Sequence, residues 1–566
     1  MPESKKNDLL ISYLPEETDP DTVDVMLITG DVYIDHPSFG VAVIARVLYH
    51  AGYSICIVSQ PHYYDKSYLD KLPDVRLFIG ITSGNMDSVV GNFTGNRNNR
   101  KDNSYSINGE SLFNNGQKRR PDRALIVYTP FIKQRYKDIP IVIGGLEASL
   151  RRFTHYDFVQ NKIRRSVLTD SKADILVYGM GEKPIIEIAA AIKTSQKPYG
   201  IKGTMVRVTN NAIPENSIIL PDYNTLTTDR RRLIETVTIV ESNMTPGKSK
   251  PIYQDQGGTG VIAFTPQELM TTEEIDSIYD LPFKRSYPEY CKDIPAWNMI
   301  NTSITSHRGC YGRCSFCAIA IHQGAQIVQR SKISIIKEAV SITEDPAFKG
   351  TISDVGGPTA NMYGTSCKIG WCSDPHCLFP DICTNLILDK NTYVDILKAI
   401  KSLKKVKHIF VSSGIRHDLA LIKPEETEWI ILNTTSGHFK IAPEHIDNSI
   451  LKLMKKPPVE KLINFIELFE KVKKKHSLNY YLLPYLILSH PGSSSDSAER
   501  LAAFLIKYDL RTRQYQDFTP VPSTLSTAMY YSGTDLDGSK INIPPVSSIN
   551  NTQRDILEKA LKKIRK

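Results

Sequence analysis

Strand-like apolar runs alternate with helical patterns in two stretches of this chain, and that alternation limits its fold more than any other feature. In the first stretch, the strand-like runs lie at 23–29, 54–58, 76–81, 139–143 and 173–178. The clearest helical pattern between them is at 39–51. Strands that alternate with helices form parallel sheets covered by helices on both faces. The sequence therefore predicts a doubly wound parallel α/β sheet over residues 1–200.

The second stretch repeats the alternation six times. Its strand-like runs lie at 301–306, 350–355, 407–412, 438–442, 480–489 and 514–521, the first of them within a longer strand-like stretch at 299–306. The helical patterns between them include 333–343, 391–401 and 459–475. Six βα units make a partial parallel barrel, whose active site lies at the carboxyl ends of the strands. We expect a partial (βα)6 barrel with a C-terminal extension within residues 296–566.

Two segments show no such alternation. Residues 201–295 are rich in Pro, Gly and polar residues, which predicts an irregular linker region between the two domains. Residues 92–120 lack apolar periodicity and are predicted to form a long, mobile insertion loop.

Composition narrows the class of protein. Residues 1–20 are polar, and no apolar stretch approaches the length of a membrane span. Seven of the nine cysteines lie between Cys310 and Cys383, which favours metal sites in a reducing cytoplasm over a disulfide framework. The net charge of +9 is modest for 566 residues, and the basic runs are typical of solvated helix faces. We expect a cytoplasmic protein with no membrane partner, and leave nucleic-acid binding open.

Three cysteines follow the first strand-like run of the second stretch. Cys310, Cys314 and Cys317 have the spacing C-x3-C-x2-C. Three thiolates on one short loop hold three corners of a [4Fe–4S] cluster and leave one iron open to a substrate. A zinc site needs a fourth ligand, and a bacterial ferredoxin reads C-x2-C-x2-C-x3-C-P. Neither pattern is present around this triplet, so the spacing favours an open cluster.

Four further cysteines fall within 17 residues. These are Cys367, Cys372, Cys377 and Cys383. Four thiols are enough for a second metal site, which is either an auxiliary iron–sulfur cluster or a zinc site with His376 as an alternate ligand. Four scattered free cysteines are the alternative.

The chain resembles the radical S-adenosylmethionine (radical SAM) enzymes, and within them the YgiQ-type group, for which no reaction is established. The resemblance lies in the runs Gly145–Phe153, Ser171–Glu182, Gly356–Met362, Lys440–His445 and Met529–Gly533, besides the cysteine triplet. It implies that the open iron binds SAM and that an external one-electron reductant supplies the electron. It also implies that SAM is split to release a 5′-deoxyadenosyl radical.

The resemblance assigns further residues of the cofactor site. Phe316 matches the aromatic residue that flanks the cluster and adenine in this family, and Gly356 and Gly357 match the glycine pair whose backbone approaches the SAM amino group. From their positions after later barrel strands, Arg416 is a candidate for bidentate pairing with the SAM carboxylate. Glu444 is a candidate for contact with the SAM ribose or the substrate. These are candidate cofactor-binding residues, and no catalytic side chain is assigned.

The N-terminal half is similar to the cobalamin-binding domain that precedes some radical SAM barrels. Glycines follow its strands in the runs 30–37, 144–149 and 179–182. Cobalamin domains that use a histidine ligand carry D-x-H-x-x-G, whereas Asp35 and His36 are adjacent here. His36 is therefore not expected to bind cobalt. Cobalamin bound without a protein histidine, or a fold that has lost cobalamin, are both consistent with the pattern.

We interpret the chain as an enzyme that cleaves SAM to functionalise a C–H bond of an unknown substrate, with methylation or sulfur insertion as outcomes. The alternative is a cluster-bearing RNA-binding or regulatory protein without catalysis. SAM cleavage separates the two, because a binding module needs no open iron.

Overall fold

The N-terminal part of the protein is built on one large mixed sheet. The computed structural model describes residues 10–209, 213–289, 291, 293–389, 391–545 and 552–564. In spatial order the ten strands of this sheet are Ile11–Leu14, Ile55–Ser59, Thr22–Thr29, Asp74–Thr82, Ile141–Gly144, Ile175–Val177, Thr204–Val208, Gly260–Ala263, Ile252–Asp255 and Ile218–Ile219.

The centre of the sheet is parallel and doubly wound, which confirms the predicted fold class. Five parallel strands, numbered along the chain from Thr22–Thr29, have the order 2-1-3-4-5. The winding direction reverses between Thr22–Thr29 and Asp74–Thr82. Ligands of such sheets bind beyond the carboxyl ends of the strands at this reversal.

Both faces of the sheet are covered, because its central strands are apolar on both sides. Val25 and Leu27 belong to one apolar cluster, and Met26 and Ile28 belong to another on the opposite face. Such continuous apolar runs are typical of buried parallel strands. The helices between these strands are Gly40–His50, Ser88–Asn92, Ala124–Ile132, Gly145–Leu150, Val167–Ser171 and Glu182–Lys193.

Residues 201–295 differ from the predicted irregular linker, because they supply the last four strands of the sheet. Thr204–Val208 pairs antiparallel with Ile175–Val177, the last parallel strand, and so covers an edge that would otherwise expose unpaired backbone. The strands are short and lie between Pro-rich and Gly-rich turns, so the sequence shows no periodicity there. The helices of this region are Tyr223–Thr228, Arg232–Ser242 and Thr272–Tyr279.

Residues 92–120 are packed against the sheet, in contrast to the predicted mobile loop. Arg120 forms a buried ion pair with Asp31 at 3.0 Å, and Gln60 Nε2 donates to the Ser106 hydroxyl at 2.7 Å. Three isolated antiparallel bridges cross the segment. Polar side chains hold this segment in place by contacting residues far away in the sequence. Because these contacts are polar, the segment shows no periodic apolar pattern.

The second half forms the predicted partial parallel barrel. Its six strands are Ser303–Thr305, Thr351–Ile352 continued by Asp354–Gly356, His408–Ile409, His438–Glu444, Tyr481–Leu488 and Tyr515–Asp517. Neighbouring strands pair in parallel, the third and fourth through the bridge between Ile415 and Ile441. The predicted strand-like stretch from Met299 is wrong at its start: Pro295–Ile300 is a helix, for which a proline at the first position is favourable.

Helices and three small hairpins complete the described part of the chain. The helices from residue 319 onward are Ile319–Gln323, Lys332–Glu344, Thr392–Lys401, His417–Ala420, Pro424–Thr434, Asn448–Leu453, Val459–His476, Ser495–Lys507, Leu525–Ser532 and Thr552–Ile564. The hairpins pair His155–Asp157 with Lys162–Arg164, His307–Arg308 with Val328–Gln329, and Thr365–Cys367 with Leu386–Leu388. Within the described ranges, none of the helices has the length and apolarity needed to cross a bilayer.

Candidate functional site

The three cysteines of the triplet lie on the loop that follows the first barrel strand. Burial and the charge of Cys314 raise the pKa of the Cys310 thiol, and burial with both neighbouring thiols raises the pKa of Cys317. The Arg416 charge partly offsets the effect at Cys310. Arg416 Nη1 also lies 3.8 Å from the Cys314 Sγ. The structure therefore brings the three thiols together beside a cation, which stabilises thiolates.

The loop is fastened to the barrel through Ser315, between the second and third cysteines. The Ser315 amide donates to the Met454 carbonyl at 3.1 Å, and its hydroxyl donates to the Leu453 carbonyl at 2.6 Å. The same hydroxyl lies 2.8 Å from the Ser526 hydroxyl, which is 2.7 Å from Nε2 of the buried His490. These bonds hold the thiols at the mouth of the barrel.

The glycine pair follows the second barrel strand, as the resemblance implies. A Cβ at Gly356 would lie 2.0 Å from the Ser413 hydroxyl, and one at Gly357 would lie 2.6 Å from the His307 carbonyl and 2.7 Å from its ring. A backbone carbonyl therefore already opposes a side chain at Gly357, whereas at Gly356 the nearest atom is a side-chain hydroxyl. A side chain at Gly357 would therefore clash with His307 as well as crowd the expected SAM site.

Arg416 does not present a free guanidinium fork. Its Nε and Nη2 donate to the two carboxylate oxygens of Asp418 at 2.9 and 2.7 Å, and both side chains are buried. The pair holds the pKa of Asp418 below its usual range in spite of burial. Asp418, two positions along the chain, thus takes up the two donors that the expected bidentate contact with a SAM carboxylate would use. The remaining Nη1 faces the thiols.

Glu444 and Phe316 both lie near the triplet. Glu444 ends the fourth barrel strand with a positive φ of 69°, and burial raises its pKa against the charges of Lys456 and Arg416. Its charge in turn raises the pKa of Cys317, so the two groups are neighbours. Phe316 packs edge-on to the His490 ring with centroids 6.4 Å apart, at the side of the cysteine loop.

A cavity of about 650 Å³ lies between the ends of the sheet strands and the barrel mouth. This volume is typical of ligand sites, which measure about 300–1,000 Å³. One part is an apolar slot between the sheet and two helices, lined by Leu27, Val41, Ile44, Gly80, Val142, Val177 and Ile185. The strand-end glycines at its mouth are Gly84, Gly144, Gly145, Gly179 and Gly181. The barrel side contributes Ile304, His307, Arg308, Ala318, Ile319, His322, Gln323, Asp354, Gly356 and Gly357.

A polar wall joins the two halves of this cavity. Glu182 forms an ion pair with Arg308, whose Nε also donates to the Tyr279 hydroxyl at 3.1 Å. Among the described residues, the second carboxylate oxygen of Glu182 is buried without a hydrogen-bond partner. His322 Nδ1 lies 2.8 Å from the Ser149 hydroxyl across 173 residues of chain. Sequence reasoning missed these contacts, because residues that far apart carry no shared local signal.

His36 is engaged within the protein, and one of its partners, Ser38, lines the cavity. Its Nδ1 lies 2.7 Å from the Ser38 hydroxyl, and its Nε2 lies 2.9 Å from an Arg285 nitrogen. Burial and the Arg285 charge lower the pKa of His36. Asp35 forms a buried ion pair with Arg46. Both ring nitrogens of His36 have partners, so this structure leaves neither free for a metal.

The cysteine quartet lies beside the triplet loop. Arg313, within the triplet, donates to Asp374 at 2.7 Å and to the Pro375 carbonyl at 2.6 Å. A small cavity of about 20 Å³ separates Cys314 and Cys317 from Pro375. In the ranges that the structure covers, no group of three or more His, Cys, Asp or Glu side chains, in the triplet, the quartet or elsewhere, has the arrangement of ligands on a metal ion.

Comparison with known proteins gives the class. Residues 15–303 match the family model "Radical SAM N-terminal". The overall fold is similar to that of TsrM from Kitasatospora setae, described as a radical S-adenosylmethionine methyltransferase with cobalamin and a [4Fe-4S] cluster bound. That similarity has a TM-score of 0.51 at 13% identity and covers 96% of this chain and 88% of TsrM. The barrel, its cysteine loop and the family match define a radical SAM enzyme.

Relatives of similar length then give the family. The chain is 40% identical over 547 residues to a UPF0313 protein of Methanocella arvoryzae, covering 95% of this chain and 90% of the relative. It is also 40% identical to one of Thermotoga neapolitana, covering 94% and 95%. The chain belongs to the UPF0313 family, which confirms the resemblance. Membership of an enzyme class also disfavours the alternative of a binding module without catalysis.

Proposed function

We propose that Cys310, Cys314 and Cys317 hold a [4Fe–4S] cluster at which SAM is cleaved, and that a substrate C–H bond is attacked in the adjoining cavity. One observation supports this most. The residues that flank the triplet and the Gly356–Gly357 pair border the same cavity as the strand-end glycines of the sheet. A radical formed at the loop then meets a substrate without crossing bulk solvent.

The protein's own groups have definable roles in this reaction. When bound, the cluster supplies the electron that splits SAM. The three thiolates hold it, and the guanidinium of Arg416 stabilises their negative charge from 3.8 Å. Asp418 fixes the orientation of Arg416. The hydrogen bonds of Ser315 keep the loop in place, which preserves the distance between the cluster and the substrate.

We further propose cobalamin as a second cofactor and methyl transfer as the outcome, in preference to sulfur insertion. The slot between the sheet and its helices accepts a flat apolar group, and the glycines at its mouth allow backbone to approach a large ring closely. His36 is already hydrogen-bonded, so any cobalamin is held without it. The Glu182 oxygen without a partner suits a hydrogen-bond donor, such as an amide on the rim of a corrin.

The reaction needs an external one-electron reductant and a C–H-bearing substrate. A low-potential donor and SAM are both cytoplasmic, which is where we propose the enzyme acts. The lining of the cavity is compatible with a small or medium-sized molecule, and the polar wall favours one with N–H or O–H donors.

Anaerobic reconstitution tests the function. The protein is loaded with iron and sulfide and incubated with SAM, a strong reductant and fractionated cell extract, and 5′-deoxyadenosine is quantified. We expect SAM cleavage that rises with one extract fraction, and none in the variant with Cys310, Cys314 and Cys317 changed to Ala. Cys291→Ala, which removes a buried cysteine elsewhere, is the control. Undiminished cleavage in the triple variant would refute the assignment.

Cobalamin binding has its own test, which does not depend on activity. Gly144 lies at the mouth of the slot, and a Cβ there would come no closer than 3.8 Å to Val177. Gly144→Leu therefore blocks the mouth without a clash at its first carbon. We expect wild-type protein to retain hydroxocobalamin through gel filtration, seen by its visible absorbance, and the variant to lose it. If neither protein retains cobalamin, the second cofactor is excluded.

A further inference from the structure

We propose that Cys367, Cys372, Cys377 and Cys383 hold a second iron–sulfur cluster next to the triplet. The main chain already draws three of them together. Cys367 ends a strand and pairs with Leu386, whose amide donates to the Cys383 carbonyl at 3.1 Å. The Cys383 amide donates to the Cys377 carbonyl at 2.9 Å. These contacts join the two ends of the loop, so the cysteines lie on one closed loop of the chain.

The fourth cysteine is held by a neighbouring segment. The carbonyl of Cys372 accepts a hydrogen bond from the Thr245 hydroxyl at 2.9 Å, and the carbonyl of the preceding Trp371 accepts one from Lys248 Nζ at 2.5 Å. These bonds hold Cys372 within the same closed loop as the other three cysteines.

Cations surround the loop. Lys248 donates a hydrogen bond to the Trp371 carbonyl of the loop. Arg313 donates to the Asp374 carboxylate and to the Pro375 carbonyl. Lys368, inside the loop, donates to the Thr384 carbonyl at 3.4 Å. Four thiolates carry more negative charge than a metal centre cancels, and nearby cations stabilise the excess.

The four cysteines lie on one closed loop, but their thiols are not arranged as ligands around one metal ion, and the triplet shares this feature. Small movements of the side chains within the closed loop are therefore part of metal binding, which commonly orders such segments. We choose an iron–sulfur cluster over zinc because the quartet loop lies beside the triplet loop.

The quartet shares an apolar cluster with the triplet loop. Cys377 packs in the same cluster as Tyr311 and Met362, and Met362 Sδ lies 3.7 Å from the Cys310 Sγ. Arg313 bridges the two loops on the other side. A redox centre at the quartet would lie next to the triplet cluster, whereas a zinc ion there would only brace the loop.

In this position a cluster held by Cys367, Cys372, Cys377 and Cys383 would relay electrons. It would accept one electron from a reduced ferredoxin and be reoxidised on passing that electron to a cluster held by Cys310, Cys314 and Cys317. No bond would form or break, and no proton would move. This electron-transfer role rests on the proposed function. The presence of the metal site does not.

Metal analysis of the full-length protein tests the site. Iron, sulfide and zinc are measured, with Mössbauer spectra, after anaerobic reconstitution of the wild type and of the variant with Cys310, Cys314 and Cys317 changed to Ala. We expect that variant to keep a cluster, and to lose it when the quartet is also changed to Ala. An iron-free triple variant, or one that binds zinc alone, would overturn the proposal. Because the triple variant retains the quartet, the result does not depend on the quartet variant folding.

A second measurement tests the relay. The quartet alone is changed to Ala, with Ile369→Ala, an exposed side chain of the same loop, as the matched control. We expect SAM cleavage with titanium(III) citrate, which reduces exposed centres directly, and loss of cleavage with reduced ferredoxin. Equal cleavage with both donors would exclude the relay. Loss with both donors would also exclude it, since the triplet would then depend on the quartet for its structure.

Discussion

His322 Nδ1 lies 2.8 Å from the Ser149 hydroxyl, and this contact couples the cysteine loop to the sheet. The Ser149 hydroxyl also donates to the Gly145 carbonyl and accepts from the Gly179 amide at 3.0 Å. A single hydroxyl therefore connects two strand-end glycines to the helix that follows Cys317. His322 also lines the cavity between the sheet and the barrel, so this contact lies at the cavity wall.

Ser149→Ala should destabilise the protein and loosen this junction. The Gly179 amide and the His322 ring lose their partner inside the protein, and an unsatisfied buried group costs about 1–3 kcal/mol. We expect a lower urea midpoint for unfolding and weaker retention of hydroxocobalamin. Ser402→Ala, at an exposed helix end, is the control and should change the midpoint little. Equal midpoints for the two variants would contradict the role of Ser149.

Replacing Arg416 should destabilise the fold and lower the potential of the bound cluster. Arg416→Met alone leaves Asp418 buried and unpaired, at a cost of about 3–5 kcal/mol. The double variant Arg416→Met, Asp418→Leu should recover most of that stability. Its cluster should still be harder to reduce than that of the wild type, because a cation beside Cys314 favours the more negative reduced state. A redox titration followed by electron paramagnetic resonance gives the potential, and an unchanged value would show that Arg416 acts only through packing.

Gly357→Ala should destabilise the protein even without SAM. The new Cβ would lie 2.6 Å from the His307 carbonyl, and forcing such contacts costs about 1–3 kcal/mol. Weaker SAM binding by Gly357 variants is therefore informative only beside this measurement. Gly181→Ala is the matched control, since its Cβ would meet Ile44 and Val177 at 3.4 Å. We expect a lower urea midpoint for Gly357→Ala than for Gly181→Ala when both are measured in the absence of SAM. Equal midpoints would contradict the packing role of Gly357.

Mild acid should destabilise the fold, because buried histidines are held neutral. Burial lowers the pKa of His307 from 6.5 to about 4 and that of His490 to about 3. As the pH falls below about 6.5, the unfolded chain binds protons that the folded protein does not, so the free energy of unfolding decreases down to about pH 4. Above about pH 7 both states are neutral at these groups, and their contribution is constant.

Urea midpoints of the metal-free protein across this range test the effect. His307→Gln should give a shallower pH dependence than the wild type, since one of the groups is gone. His408→Gln, at an exposed position, should leave the dependence unchanged. A wild-type midpoint that stays constant between about pH 7 and pH 5 would contradict the role of buried neutral histidines.

The architecture and the cysteine loop were predictable from the sequence by itself. Strands such as Thr22–Thr29 are apolar on both sides, and the triplet Cys310, Cys314 and Cys317 is a local pattern whose spacing carries its own chemistry. Where local periodicity was weak, the prediction failed. The strands Thr204–Val208 and Gly260–Ala263 are too short to show a pattern, and they form because the sheet offers them an edge.

Only the tertiary structure decided which side chains meet. Arg416 pairs with Asp418, a Cβ at Gly357 would meet the His307 carbonyl and ring, and Ser149 contacts His322 across the junction of sheet and barrel. The quartet at Cys367–Cys383 was visible as a pattern, but its position beside the triplet was not. Such contacts depend on how the sheet and barrel pack against each other. That packing is the sum of many weak apolar contacts spread over the chain, so no short run of residues encodes it.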